Sequence, residues 1–475
     1  MQSREALYQH LVQAFGFVPT QGQDTVLRHL SAFLLSEKEN PTYILRGYAG
    51  TGKTTLVKSL VKVLPLIEMN YVLLAPTGRA AKVLGSYTGK SASTIHRRIY
   101  QSKTFPDGSI HIVRGENKYT NAVFIVDEAS MIGEQREFGG KSLLDDLLEY
   151  VFTGQHCRLL LIGDTAQLPP VESSGSPALD CDYLKSEFPV TVATFELTEV
   201  KRQALESGIL YNATRLRERL KEALPNFDLP LFQTEGFSDI LRIEPETFEE
   251  LLYNTFSENV NNEAVIVCKS NKRANLFNQA IRGRILNIEG ELATGDKLIV
   301  VKNNYHWTEG IDEINFIANG DMAEIRKIKH FDEMYGFRFA DVELSFTDYP
   351  DAPNIEVKIL LDTLHSNSAS LTEEENRRLF QAIEEDYMDI PNRRERYKEM
   401  RKNPWFNALQ VKFAYALTCH KTQGGQWNTV FIDSSFNQKE ALETEDLRWL
   451  YTALTRAQQQ VYFVNFKDEF FSDAK

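Results

Sequence analysis

Cysteine is scarce in this sequence: Cys157, Cys181, Cys268 and Cys419 are the only four in 475 residues, and no two lie at metal-ligand spacing. A chain this long needs no disulfide scaffold, so they read as reduced thiols of an intracellular protein. Cys419 has no evident base partner and reads as a small buried residue. Long apolar runs are missing too. None approaches the ~18 residues of a membrane span, and the opening "MQSREALYQH" lacks an apolar signal core. The expectation is a soluble, cytoplasmic protein with no membrane partner. Positive charge is also in deficit, with a net charge of −13. Phosphate binders tend to be basic, but a basic groove can sit on an acidic body. Basic clusters do occur, as "GRAAK" at 78–82, "HRR" at 96–98 and "NKR" at 271–273.

What is present is a globular composition, 42% hydrophobic and 25% charged, with room for about three domains at roughly 150 residues each. "GYAGTGKTT" (47–55) fits the phosphate-loop pattern, with Gly47, Gly52, Lys53 and Thr54 in the fixed places. Its context is correct: "TYILRG" before it is a strand candidate, and Leu56, Leu60 and Val63 after it have helical spacing. The backbone N–H groups of Gly50, Thr51, Gly52 and Thr55 belong to the cradle such a loop forms for phosphates. Lys53 would reach the outer phosphates and Thr54 would ligate Mg²⁺.

Three further apolar strands end in polar groups. "YVLLAPTGRAAKVL" (71–84) runs into Pro76 and Thr77, "AVFIVDEAS" (122–130) into Asp127 and Glu128, and "RLLLIGDTAQLPP" (158–170) into Gly-Asp and Gln167. Short buried strands separated by helices make a parallel sheet whose ligands bind at the carboxyl ends. Asp127 is placed to hold Mg²⁺ and Glu128 to deprotonate the attacking water. A solvated strand end is the bland reading of that pair, and the loop upstream disfavours it. Gln167 reads as a contact to the terminal phosphate or the water, or as an ordinary loop residue.

A second α/β unit follows without a phosphate loop of its own: "AVIVCKSNKRANLFNQAIR" (264–282), "VKFAYALTCHKTQGGQW" (411–427), "NTVFID" and "QVYFVNF". Between the last strands lies "LRWLYTALTRAQQQ" (447–460), where Leu447, Leu450 and Leu454 share a helix face and Arg456 sits further along the same helix. Arg456, or Arg202 in "FELTEVKRQ", could reach a phosphoryl across a domain interface. Either could equally be a surface arginine in an ion pair.

Taken in order, "GYAGTGKTT", "APTGRAAKVL", "STIH", "DEAS", "GDTAQLPPV", "LTEVKRQ", "YALTCHKTQG" and "LYTALTRA" match the motif succession of superfamily 1 helicases. Their wording resembles the RecD-like, Dda-like, 5′-to-3′ branch, superfamily 1B, from about residue 18 to 466. The resemblance implies an α/β fold of two RecA-like domains and an ATP-dependent DNA helicase that uses ATP and Mg²⁺. It implies that Gln23 reads adenine, and that Arg202 and Arg456 touch the terminal phosphate. Pro76, Thr77, Arg79, Thr94, His96, His420, Lys421 and Thr422 would line a single-strand track; His96 also reads as a satisfied buried histidine. Expected partners are single-stranded DNA and single-strand/duplex junctions, with single-strand-binding or repair and replication proteins, and the expected state is a monomer. Thr422 stands where Ser is frequent, and "GGQW" departs from the usual continuation, so Gln426 receives no role. A translocase that does not unwind, or a nucleotide-dependent DNA clamp, would use many of the same parts.

Residues 97–121 separate two strands of the first sheet, and "FPDGS" is a hairpin-turn signal. The resemblance places a strand-separating pin here, with Phe105 near its tip. Residues 291–362 read as an SH3-like β-barrel, and 370–402 as charged helix with a capping box at Thr372 and Glu375. The expected division is 1–190 for the first RecA-like domain, 191–290 with 408–475 for the second, and 291–407 for the barrel with its helical extension.

Overall fold

The strands that end in chemistry lie side by side. In the computed structural model they belong to one six-stranded parallel sheet, and the structure describes residues 3–472 apart from 105–109, 136–139, 171–172, 174, 201–205, 223, 258–263, 312–313, 315, 348, 350 and 437–438. Helices α1 (Arg4–Phe15), α2 (Gln21–Leu34), α3 (Lys53–Val63) and α4 (Gly78–Thr88) accompany strands β1 (Pro41–Gly47), β2 (Asn70–Ala75), β3 (Ala92–Thr94), β6 (Ala122–Val126), β7 (Arg158–Gly163) and β8 (Thr191–Leu197). The order is β3-β2-β6-β7-β1-β8. β6 is buried along its whole length, as a strand covered on both faces must be. Register aligns the ends: Leu74 pairs with Val126, Val126 with Leu161, and Leu161 with Ile44. Asp127, Asp164 and the phosphate loop therefore leave the sheet at the same edge. Leu56, Leu60 and Val63 of α3 are buried, as their spacing predicts.

Between β3 and β6 the chain makes the antiparallel hairpin of β4 (Tyr100–Thr104) and β5 (Ile110–Arg114). Phe105 lies outside the described residues.

The second half contributes β9 (Phe227–Asp228), β10 (Ile240–Arg242) and β11 (Ala264–Cys268), then a closed barrel of β12 (Lys297–Val300), β13 (Met322–Met334), β14 (Phe337–Phe346), β15 (Ile355–Leu360) and β16 (Leu409–Phe413). β17 (Ala416–Thr418), β18 (Trp427–Asp433), β19 (Ala441–Leu442) and β20 (Ala457–Val464) complete it. The second parallel sheet has the order β10-β20-β18-β11-β17, while β9 pairs with β19. The fold is thus two RecA-like parallel sheets, a hairpin inserted in the first and a barrel with helices in the second. Among the described residues, no helix is long and apolar enough to cross a membrane.

Three segments sit differently from the sequence reading. Residues 191–197 fall in the second domain by the expected division, yet β8 pairs with β1 along seven positions and belongs to the first sheet. The apolar start of "VKFAYALTCHKTQGGQW" holds two strands, not one continuous strand. β16 closes the barrel by pairing with β12 and β15, and β17 joins the second sheet beside β11. The charged stretch 370–402 is also two helices, Glu373–Glu385 and Arg393–Met400, interrupted around Pro391 and restarted by an Asn392 cap. Pro disfavours helix in the residue before it. Leu379, Ile383 and Met400 from these helices pack with Phe337, Phe339 and Leu360 of the barrel.

The chain enters and leaves the barrel at one place. Arg282, ahead of β12, donates to both carboxylate oxygens of buried Asp296 at 2.8 and 2.9 Å. Tyr415, between β16 and β17, donates to the same carboxylate at 3.1 Å.

Candidate nucleotide cleft and nucleic-acid face

A cleft of 990 Å³ opens at the shared sheet edge, lined from the first sheet by the phosphate loop, Asp127, Glu128, Asp164 and Gln167, and from the second half by Gly424, Gln426 and Arg456. The loop has the shape its sequence requires. Gly50 and Gly52 have φ of +76° and +89°, and a β-carbon at Gly52 would meet Gln23 Nε2 at 2.6 Å. Lys53 Nζ donates to the Gly47 and Tyr48 carbonyls at 2.5 and 2.9 Å. Thr51 is buried and donates to the Tyr48 carbonyl, while Thr54 and Thr55 line the cleft.

Gln23 is 1% exposed. Its Oε1 accepts from Thr20 N–H in a capping box, and its Nε2 donates to the Thr51 carbonyl at 2.9 Å. It therefore joins α2 to the loop.

Asp127 Oδ1 accepts from Glu128 N–H at 2.9 Å, and Oδ2 accepts from the Tyr87 hydroxyl at 2.6 Å. Glu128 follows in the left-handed region, φ 53° and ψ 35°. Burial holds its carboxyl above the usual range; Asp127 and Asp164 push the same way, against Arg456 and Lys53. Gln167 is buried, and its Oε1 has no hydrogen-bond partner among the described residues. A buried amide oxygen is an acceptor awaiting a donor.

The second half reaches this site directly. Tyr451, on the helix Thr444–Leu454, donates to Asp164 Oδ2 at 2.6 Å and accepts from the Ala49 N–H of the loop at 2.9 Å. Thr452 Oγ1 accepts from Leu168 N–H at 2.9 Å, and Gln423 donates to the Leu168 carbonyl at 2.6 Å. Arg456 lies just beyond that helix rather than on it, 3% exposed. Its guanidinium donates to the carbonyls of Thr452 and Gly425 at 3.1 and 3.2 Å. It is a buried arginine at the cleft, not a surface ion pair. Arg202 lies outside the described residues.

Two family profiles match the chain: one described as an AAA domain over residues 20–226, and one described as a UvrD-like helicase C-terminal domain over 413–464. The ATP-dependent RecD2 DNA helicase of Deinococcus radiodurans is 28% identical over 430 residues, covering 88% of this chain and 46% of that protein. The chain thus spans about half the length of that relative. The ATP-dependent DNA helicase dda of Enterobacteria phage T4 is 26% identical over 482 residues, covering 94% of this chain and 99% of that one. These likenesses are those expected of a superfamily 1B helicase. A Bacteroides Pif1 helicase in complex with ADP-AlF3 and ssDNA is a structural neighbour with a TM-score of 0.46 and 15% identity, over 96% of this chain and 94% of that one.

The residues expected to line a single-strand track separate into two groups. Pro76, Thr77, His96, His420 and Lys421 are part-exposed. Thr77 caps α4, accepting from Ala80 N–H, and His96 contacts the rings of Tyr100 and Phe316. Burial lowers the affinity of His420 for protons. Lys421 Nζ has no partner among the described residues, and burial, helped by Lys412, lowers its pKa to about 8. Thr94 and Thr422 are buried instead. Thr94 accepts from Arg97 N–H as a helix cap, and Thr422 donates to the Cys419 carbonyl.

Arg79 faces the other domain: it donates to the Gln426 carbonyl at 2.7 Å and lies 4.0 Å over the Trp427 ring. Gly425 permits this contact, since a β-carbon there would come within 2.5 Å of Trp427 and 2.8 Å of Arg79. "GGQW" thus has a packing role that its spacing did not reveal.

Sequence reasoning missed Tyr87 and Tyr451. Tyr451 sits beside Leu450 on a helix already noticed for its apolar face, so only its hydroxyl could have drawn attention. Tyr87 ends a basic helix with no local signal.

Proposed function

We propose that this chain is an ATP-dependent DNA helicase that moves 5′ to 3′ along single-stranded DNA and opens duplex at single-strand/duplex junctions. The observation that carries the reading is the cleft shared by both halves, with Lys53 and Glu128 on one side and buried Arg456 on the other. The Deinococcus and phage T4 relatives, both ATP-dependent DNA helicases, support DNA as the partner.

In this reading Lys53 exchanges the carbonyls of Gly47 and Tyr48 for the outer phosphates of ATP. Glu128 takes the proton of the attacking water, and the Gln167 amide oxygen orients that water by accepting from it. Arg456, and by resemblance Arg202, stabilise charge developing on the transferred phosphoryl. Thr54 and Asp127 suit a hard cation, being a hydroxyl and a carboxylate lining one cleft. Each Asp127 oxygen receives a single hydrogen bond and keeps acceptor capacity. Mg²⁺ held there would supply countercharge to the phosphates.

Because one face of the cleft comes from each half, ATP would favour their approach, and loss of the terminal phosphate would release them. Alternating grips on DNA by Thr77 and His96 on one side, and His420 and Lys421 on the other, would turn that cycle into travel. Such a motor would act as a monomer in the cytoplasm, beside single-strand-binding, repair or replication proteins.

Strand separation on duplexes with a 5′ or a 3′ single-stranded tail tests this, beside Lys53→Ala. Opening of the 5′-tailed duplex alone, lost in the variant, is expected. ATP hydrolysis stimulated by DNA without any opening would leave a translocase, and opening of the 3′-tailed duplex would reverse the direction.

A further inference from the structure

One helix, α4, runs along the nucleotide cleft from Thr77, a residue of the proposed DNA track, to Tyr87, which contacts Asp127. Thr77 caps α4 at one end, Arg79 in the first turn holds Gln426 and Trp427 of the other half, and Tyr87 lies near the far end. At 1.5 Å per residue, Thr77 and Tyr87 stand roughly 15 Å apart along the axis. Tyr87 is half-buried and lines the nucleotide cleft. Among the described residues it is the only side chain that hydrogen-bonds Asp127; the other bond comes from the Glu128 backbone.

We infer that Tyr87 is a positioning residue whose hydroxyl fixes the Asp127 carboxylate for its cation, and that α4 thereby ties the setting of that carboxylate to the DNA-side contacts at its other end. The inference rests on the reading of Asp127 as the cation-holding acid. A carboxylate on two rotatable bonds adopts several orientations unless something holds it. The phenol takes one acceptor site of about four on the carboxylate, so it orients Asp127 without displacing the cation's own ligands. A lever requires stiffness, which a continuous hydrogen-bonded helix supplies. Arg79 adds the second half of the molecule to the same helix, so closure of the cleft and contact with DNA reach Asp127 by one route.

The test compares Tyr87→Phe, Asp127→Asn and Thr88→Val. Thr88 is the neighbouring residue, donating to the Leu84 carbonyl of the same helix end and touching neither carboxylate. Binding of a fluorescent ATP analogue is titrated with Mg²⁺, which requires no turnover, and ATP hydrolysis is then measured with and without single-stranded DNA. Tyr87→Phe is expected to raise the Mg²⁺ concentration for half-maximal binding roughly tenfold, as expected for a lost bond to a charged group. It should also cut the stimulation by DNA, while DNA affinity without nucleotide and the behaviour of Thr88→Val stay as in the parent. An unchanged or tighter Mg²⁺ dependence in Tyr87→Phe, with Asp127→Asn weakened, overturns the inference and leaves the reading of Asp127 standing. An equal shift in Thr88→Val assigns the effect to the helix end and also overturns it. If Asp127→Asn itself shifts nothing, the reading of Asp127 falls and the inference with it. Normal stimulation despite a shifted Mg²⁺ dependence overturns the coupling through α4 and keeps the positioning.

Discussion

Glu128 has a backbone that side-chain-bearing residues rarely adopt, φ 53° and ψ 35°. Such a conformation at the end of a buried strand is retained where the surroundings over-determine it, commonly at a site of chemistry. Its carboxyl is held high chiefly by burial. The proposed base works only when deprotonated, so ATP turnover should decline with falling pH from a point above the ordinary glutamate value of about 4.3. Glu128→Gln should lower kcat by about 10²- to 10⁴-fold and leave nucleotide binding intact, which steady-state rates and equilibrium binding together would establish.

Lys421 predicts a second titration, with the opposite sign. Its pKa of about 8 means that the ammonium is present below that pH and fades above it. Affinity for single-stranded DNA should fall from about pH 7 to 9, and Lys421→Arg should flatten the profile because a guanidinium stays charged. Anisotropy titrations across that range decide it. Residues of this kind were legible in unequal measure. Lys53, Asp127 and Glu128 stand in fixed spacing after apolar strands, so their neighbourhood is local in sequence. The Tyr87–Asp127 and Tyr451–Asp164 bonds join positions with no shared pattern, and no period or motif announces a lone phenol.

Elements whose partners follow soon in sequence were the readable ones. The parallel strands β1, β2, β6 and β7 each carry a short apolar run, and the capping box at Thr372 and Glu375 forms as its spacing indicates. Closure of the barrel was harder, because β16 lies beyond the helical extension from β15, and nothing in "LQVKF" distinguishes a barrel strand from a sheet strand. The charged face of 370–402 likewise hid an apolar underside, on which Ile383 is fully buried. Ile383→Ala should cost about 2–5 kcal/mol where the helices pack on the barrel. Hydrogen exchange should report loosening there, while ATP hydrolysis, proposed for the nucleotide cleft that Ile383 does not line, should change little.

At the scale of the whole molecule, the acidic total and the expected nucleic-acid partner must be reconciled. Single-stranded DNA releases counterions in proportion to the cations that replace them, with log affinity falling by about 0.7 per phosphate contact for each log unit of salt. The part-exposed track residues are hydroxyls and imidazoles as much as cations, with Lys421 the lysine among them. A shallow salt slope, on the order of two or three contacts, is therefore expected from affinities measured between low and physiological salt.

The buried knot of Arg282, Asp296 and Tyr415 has a mechanical meaning. Both chain crossings into the barrel are fastened to one carboxylate, and β16 hands over to β17 within two residues. A body attached by one stiff collar cannot swivel freely on its mount. Drag met by the barrel or its helices would arrive at the second sheet as torque, and from β17 pass straight into the segment bearing His420 and Lys421. The insertion is carried as cargo and felt as load.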